Sequence, residues 1–196
     1  MKILLLADEE SRYLWDYYRP GVLKDYDLIL AAGDLKASYL SFLVTMANRP
    51  LLYVHGNHDT SYAQRPPEGC QCIDGKLVKI NGLRILGLGG SYMYNGGEHQ
   101  YTERQMRWRI MKLKARIMLA GGVDIVLSHA PVSGHGDMPD PAHRGFECFE
   151  KLIEKYQPKL WVHGHVHKSY GASFQRERSL GSTRIINASE KFGVEI

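Results

Sequence analysis

Five short polar motifs in this 196-residue chain have the residue types for chemistry, and each stands where an apolar run stops. Lys2 to Ala7 stops at Asp8, Leu28 to Ala32 at Gly33-Asp34, and Leu51 to Val54 at His55-Gly56-Asn57-His58-Asp59. Ile125 to Ser128 stops at His129, and Leu160 to Val162 at His163-Gly164-His165-Val166-His167. Carboxylates, an amide oxygen and imidazoles together suit borderline divalent metals such as Mn, Fe, Zn or Ni, whereas Ca takes oxygen alone.

These groups need elements that bring them to one place. Short apolar runs rich in β-formers read as buried strands, and Gly56 lets the backbone turn where its run ends. In open α/β sheets ligands bind at the carboxyl ends of the strands, so the five motifs are predicted to share one edge. Lys36 to Asn48 carries Leu40, Leu43, Val44 and Ala47 at helical spacing, which predicts a crossover helix between parallel strands. Tyr13 to Tyr18 reads as a short helix ended by Pro20-Gly21, and Thr60 to Gly69 as a surface loop. Lys76 to Ile80 and Leu83 to Leu88 flank Asn81-Gly82, the signature of a hairpin. Thr102 and Gln105 form a capping box for an amphipathic helix on Met106, Ile110, Leu113 and Ile117 that ends at Gly121-Gly122. Phe146, Phe149, Ile153 and Tyr156 mark another helix, and Ser169 to Phe174, Thr183 to Asn187 and Phe192 to Ile196 read as strands of a second sheet.

The length fits a single domain over residues 1–196 with a core that needs no disulfide. A net charge of +4 and pI near 8.9, with no Lys/Arg run of five, admit an anionic substrate without calling for nucleic acid. Cys70, Cys72 and Cys148 are an odd set that reads as free thiols of a reducing cytosol. No apolar run reaches membrane-spanning length and no cleavage site follows the first strand, so a cytoplasmic protein is expected.

The motifs resemble those of the calcineurin-like metallophosphoesterases, which run Asp-x-His, Gly-Asp, Gly-Asn-His-Asp/Glu, His and Gly-His-x-His. Here they fall at Asp8, Gly33-Asp34, Gly56-Asn57-His58-Asp59, His129 and Gly164-His165-Val166-His167. The resemblance implies an α/β fold, a four-layer αββα sandwich of two mixed β-sheets flanked by helices, with two divalent metal ions at one end. It implies that Asp8 and His167 hold the first metal, that Asn57, His129 and His165 hold the second, and that Asp34 bridges them. His58 matches a histidine that serves the phosphate or the leaving oxygen, with Asp59 orienting it. Glu10 stands where the family's first motif has histidine, and a carboxylate there would replace that ligand and tilt the site toward Mn. Fe, Zn or Ni are the alternatives.

Around this set, His55 and His163 read as packing residues. The loop Ser133 to Arg144 carries His135 and His143, and Arg12, His143, Arg144 and Lys168 are candidate phosphate contacts. Tyr92, Tyr94 and Tyr101 could line a base or aryl pocket. The implied activity is hydrolysis of a small phosphodiester, with a phosphomonoesterase or nuclease as alternatives on the same site. From another class comes a non-catalytic scaffold, such as the retromer scaffold subunit. The presence of His58, Asp34 and both histidines of the fifth motif argues against it.

Overall fold

The structure is a computed structural model in which residues 1–170 and 174–196 are described. The first half of the chain gives strands β1 (Lys2–Ala7) and β2 (Leu28–Ala31), helix α1 (Ala37–Ala47), and strands β3 (Leu51–Tyr53) and β4 (Gln71–Cys72). The hairpin β5 (Leu77–Ile80) and β6 (Leu83–Leu88) follows, then the short strands β7 (Ser91–Tyr92) and β8 (Gln100–Tyr101) and helix α2 (Glu103–Leu119). The remainder is β9 (Ile125–Ser128), α3 (Glu147–Tyr156), β10 (Leu160–His163), β11 (Glu177–Leu180), β12 (Thr183–Asn187) and β13 (Glu190–Glu195).

Two mixed sheets form, ordered β13-β1-β2-β3-β4 and β11-β12-β10-β9-β6-β5. Alternation along the strands sets the layers. Ile3, Leu5, Leu28, Leu30 and Leu52 meet Ile85, Ile125, Leu127, Leu160 and Val162 between the sheets. The intervening residues Leu4, Leu6, Ile29 and Tyr53 pack outward against Leu40 and Leu43 of α1 and against Leu14 and Leu23. On the other side Leu86, Val126, Trp161 and Ile185 pack against Met106, Leu113 and Ile117 of α2 and Phe149 and Leu152 of α3. Three apolar interfaces make the four layers of the expected sandwich.

The helix ends explain themselves. Thr102 and Gln105 form the capping box of α2. Glu103, one residue into α2, accepts the backbone N–H groups of Glu147 and Cys148 at 3.1 and 2.8 Å, which closes the start of α3. Asn81 adopts φ 50°, as the tight hairpin turn requires.

Several expectations are corrected. Tyr13 to Tyr18 is a run of turns, not a helix. Its bonds mix three- and four-residue spans, such as Leu14 and Trp15 both donating to the Ser11 carbonyl. Asp59–Ala63 forms a 3₁₀ turn that takes up the start of the Thr60 to Gly69 segment read as loop. Lys168–Tyr170 is likewise a 3₁₀ turn rather than the start of a strand, and the strand lies at Glu177–Leu180; residues 171–173 of that expectation fall outside the described residues. β13 joins the first sheet, antiparallel to β1, with the Met1 ammonium donating to the Ile196 carbonyl at 2.7 Å. All three cysteines are free thiols. Among the described residues no helix is long and apolar enough to cross a membrane.

One ion pair ties the second sheet to its connections. Asp124, before β9, takes Arg84 of β6 in a two-bond fork, Nε to Oδ2 and Nη2 to Oδ1 both at 2.7 Å, and also accepts the Arg84 backbone N–H at 2.8 Å. The Arg84 guanidinium holds the Asp124 carboxyl down at about 2. Asp124→Asn is expected to lower unfolding free energy by about 1–2 kcal/mol at pH 7. Because the folded pKa lies below the unfolded one, the gap between wild type and variant shrinks as pH falls from about 4 through about 2. Urea melts at pH 7 and pH 2.5 check this, and a gap independent of pH would exclude the ion pair as its source.

Candidate metal centre

The facing ends of β1, β2, β3, β9 and β10 bring Asp8, Asp34, Asn57, His129 and His165 together. Close approach is allowed by a missing side chain: a Cβ on Gly164 would lie 2.6 Å from Ala7 Cβ and 3.0 Å from Asp8 Oδ2. Asp8, Asp34 and His165 all take left-handed backbone, at φ 65°, 56° and 69°. Each such conformation costs about 1–3 kcal/mol and persists only when its surroundings hold it. The holding contacts are present. Asp8 N–H donates to the Gly33 carbonyl at 3.1 Å, Asp34 N–H to Asp59 Oδ2 at 2.8 Å, and His165 N–H to Asp8 Oδ1 at 2.8 Å.

Outward hydrogen bonds set the imidazole tautomers. His129 Nδ1–H donates to the Ala32 carbonyl at 2.7 Å, which leaves a lone pair on Nε2. His165 Nε2–H donates to the Ala142 carbonyl at 2.6 Å, which leaves a lone pair on Nδ1. Those two bare nitrogens are 3.1 Å apart. Asn57 Oδ1 stands 3.1 Å and Asp34 Oδ2 3.3 Å from His129 Nε2. Four acceptors converge on one point, a spacing that only a cation or a proton among them stabilises. The ligand atoms of Asp34, His129 and His165 all lie within 4.8 Å of one another. Asp8 adds a buried Oδ2 that has no hydrogen-bond partner among the described residues. The donor set and this orphaned oxygen both fit divalent metal.

The electrostatics agree. Burial works to lower the His129 pKa, but the Asp34 and Asp8 carboxylates outweigh it and raise it to about 9, so a proton substitutes where no cation is bound. Burial raises Asp8 to about 6. Burial, with His129 beside it, lowers His165 to about 3 and keeps it a neutral donor. Burial works to raise Asp34, but His129 outweighs it and holds that carboxyl below the usual range.

The other expected site residues fall in different places. His58 is exposed, and its backbone N–H donates to Asp34 Oδ1 at 2.8 Å. Asp59 does not orient His58: its Oδ2 accepts from Gly56 N–H and Asp34 N–H, both at 2.8 Å, so it staples two ligand loops together. Glu10 is turned to Lys36, accepting the backbone N–H at 3.0 Å and facing Nζ at 3.4 Å, because the N–H of the residue that caps α1 has no acceptor within the helix. The carboxylate that meets His167 is its neighbour, Glu9, with Oε1 3.3 Å from Nδ1. His143 reaches the cluster, its ring 5.2 Å from that of His165 while Asp140 holds its Nδ1 at 2.9 Å. Arg12 sits exposed on the turn after Ser11, and Arg144 lies over the Tyr92 ring with Glu147 at 3.7 Å. Lys168 opens the 3₁₀ turn after His167. His55 stacks on His99 at 4.6 Å, and His163 is buried.

Tyr94 has a more specific place than a generic aryl pocket. Its hydroxyl accepts Asn57 Nδ2–H at 3.2 Å and fixes the amide so that Oδ1 faces His129. Only a tyrosine within a glycine-rich stretch hinted at this.

An αββα sandwich whose two sheets converge carboxylate, amide and imidazole donors at one shared edge is the architecture of metallophosphoesterases. The calcineurin-like phosphoesterase family profile matches residues 6–169, and the chain belongs to that family of metal-dependent phosphoester hydrolases. An uncharacterized protein of Haemophilus influenzae is 25% identical, covering 86% of this chain and 84% of the relative. The lariat debranching enzyme of Drosophila pseudoobscura is 26% identical over 62% of this chain and 29% of the enzyme. UPF0046 protein T07D4.2 of Caenorhabditis elegans is 37% identical over 73 residues. The chain thus spans only 17% and 29% of the lengths of the Caenorhabditis and Drosophila proteins. The crystal structure of TT1561 of Thermus thermophilus shares the fold, with a TM-score of 0.65 at 17% identity, covering 96% of this chain and 89% of that one.

Proposed function

We propose that the chain hydrolyses phosphodiesters with two divalent metal ions, Mn foremost. The observation that carries this reading is the convergence of bare acceptors on His129 Nε2, with an Asp8 oxygen that has no partner among the described residues. Asn57 Oδ1, His129 Nε2 and His165 Nδ1 would hold one ion, Asp8 and the Nε2 of His167 the other, and Asp34 both. Glu9 would fix the His167 tautomer through Nδ1, as a carboxylate commonly does for a metal-binding imidazole. The oxygen-rich first position favours a hard ion such as Mn. When bound, such an ion pair clamps the attacking and leaving oxygens and acidifies a water at neutral pH.

The chain's own groups then carry the rest. Asp59 and Gly56 fix the loop that presents His58, and the exposed imidazole of His58 gives its proton to the leaving oxygen.

His58→Ala is expected to lower kcat by about 10²–10⁴-fold toward a diester with an alkoxide leaving group, and by less toward bis-p-nitrophenyl phosphate, whose phenoxide needs little protonation, while metal content stays at the wild-type level. Assays across Mn, Ni, Fe, Zn and Mg with bis-p-nitrophenyl phosphate and with p-nitrophenyl phosphate test the reading. Preference for the monoester would turn it to a phosphomonoesterase, and fully metallated but inert wild-type protein would turn it to a scaffold.

A further inference from the structure

A cavity of about 230 Å³ opens directly beside His167. Its walls include Met138 and Pro139 from the loop after β9, Val166 between the two motif histidines, and Phe174 ahead of β11. Tyr170 lines it as well, its ring 4.9 Å from His167 and 5.0 Å from His143. The cavity is smaller than the ~300–1,000 Å³ of pockets that enclose a whole drug-sized ligand. It suits one ring-sized part of a molecule whose remainder lies elsewhere.

One wall is polar in a telling way. Arg178 lines the cavity, and its Nε is buried with no hydrogen-bond partner among the described residues. A buried N–H left without an acceptor is unfavourable, because it has given up its bond to water without replacing it. Asn187, on the same wall, is by contrast satisfied, donating to the Val166 carbonyl at 2.8 Å and accepting Ser189 N–H at 2.8 Å. The unmet donor is therefore Arg178 alone of these two, and it calls for an acceptor on the occupant.

The position of the cavity says which part of a substrate enters it. β1 faces β10 across the sandwich, where Gly164 meets Ala7, and β3 faces β6, where Gly89 meets His55. His58 leaves β3 on one side of the metal ligands, and the cavity lies by β10 and β11 on the other. A leaving group served by His58 departs on its own side, so the cavity holds the group that stays on phosphorus. A monoester has no such group.

We infer that this cavity is the subsite for the retained ester group of a phosphodiester, and that the group is a compact ring bearing a hydrogen-bond acceptor, as in a nucleoside. The inference rests on the phosphodiesterase reading and deepens it. Tyr170, Phe174 and Val166 supply ring contact, and Arg178 Nε–H supplies the bond to the acceptor.

The test keeps the leaving group constant and varies the retained one. Methyl p-nitrophenyl phosphate, phenyl p-nitrophenyl phosphate and thymidine 5′-(p-nitrophenyl phosphate) are compared with metal-loaded wild type, Arg178→Met and Phe174→Ala. The thymidine ester is expected to exceed the methyl ester at least 10-fold in kcat/KM, chiefly through KM. Arg178→Met narrows the thymidine-to-phenyl ratio, and Phe174→Ala narrows both ring-to-methyl ratios. In parallel, thymidine 5′-monophosphate added to metal-free protein labelled at the methionine methyls is expected to shift the Met138 signal in wild type and less in Arg178→Met. Equal kcat/KM for all three diesters, or no Met138 shift, overturns the subsite. Loss of all diester turnover with the Met138 shift intact instead overturns the hydrolase reading and leaves the pocket supported.

Discussion

Gly56→Ala is expected to strip the metal centre while leaving the sandwich folded. A Cβ at this position would stand 1.9 Å from Asp34 Oδ1, 2.5 Å from its Cγ and 2.6 Å from its backbone nitrogen. Gly56 has no left-handed φ among those recorded for the chain, so the alanine backbone itself is unstrained and the whole cost falls on the neighbour. Asp34 must swing away, and with it go the contact to His129 and the bond from His58 N–H. Displacing a proposed ligand outright exceeds the 10–100-fold loss of affinity typical of an outer partner, so a fall of more than 10²-fold in metal affinity is expected. Overpacking against backbone adds about 1–3 kcal/mol of destabilisation. Metal titration by calorimetry and a thermal melt on one preparation measure both. Wild-type metal stoichiometry in the alanine protein would show that Asp34 is not required where it stands.

Asp34→Asn probes the same residue without bulk. The amide keeps the shape and still accepts the His58 backbone N–H, so folding is preserved, but the charge proposed to be shared by two cations is gone. On the two-metal proposal, metal content is expected to fall from two ions per chain toward one, and kcat by about 10³-fold, a barrier increase of about 4 kcal/mol. A second signal is independent of turnover. Asp34 is the foremost carboxylate raising His129 to about 9, so in metal-free Asp34→Asn the His129 ring titrates at lower pH, readable by imidazole NMR. An unmoved His129 titration together with two bound ions would remove Asp34 from the centre.

The sequence displayed the site more readily than its supports. Asp8, Asp34, Asn57, His129 and His165 were legible because each ends an apolar run, and strand ends point where the runs point. The exchange of Glu10 for Glu9 at His167 was not. Adjacent carboxylates in a loop look alike in sequence, and what separates them is the left-handed turn at Asp8 and the demand of the Lys36 N–H for an acceptor. The Asp59 role escaped for a similar reason, since a carboxylate beside a histidine suggests that pair before it suggests two distant backbone donors. The inner strands could be read from their apolar runs and the two-sheet sandwich from the family resemblance, but the docking of β13 on β1 could not, because a strand's apolar pattern does not name its partner. The cavity by Arg178 had no local signature at all, being assembled from the loop after β9 and the approach to β11.

The antiparallel pairing of β13 with β1 has a practical corollary. Met1 and Ile196 touch at the start of β1, whereas Asp8 stands at its finish, roughly 20 Å away at about 3.3 Å per residue. Both ends of the described chain therefore emerge side by side from the pole remote from the crevice. A tether, label or solid support attached there holds the molecule by its back, with the mouth of the crevice turned outward to solution.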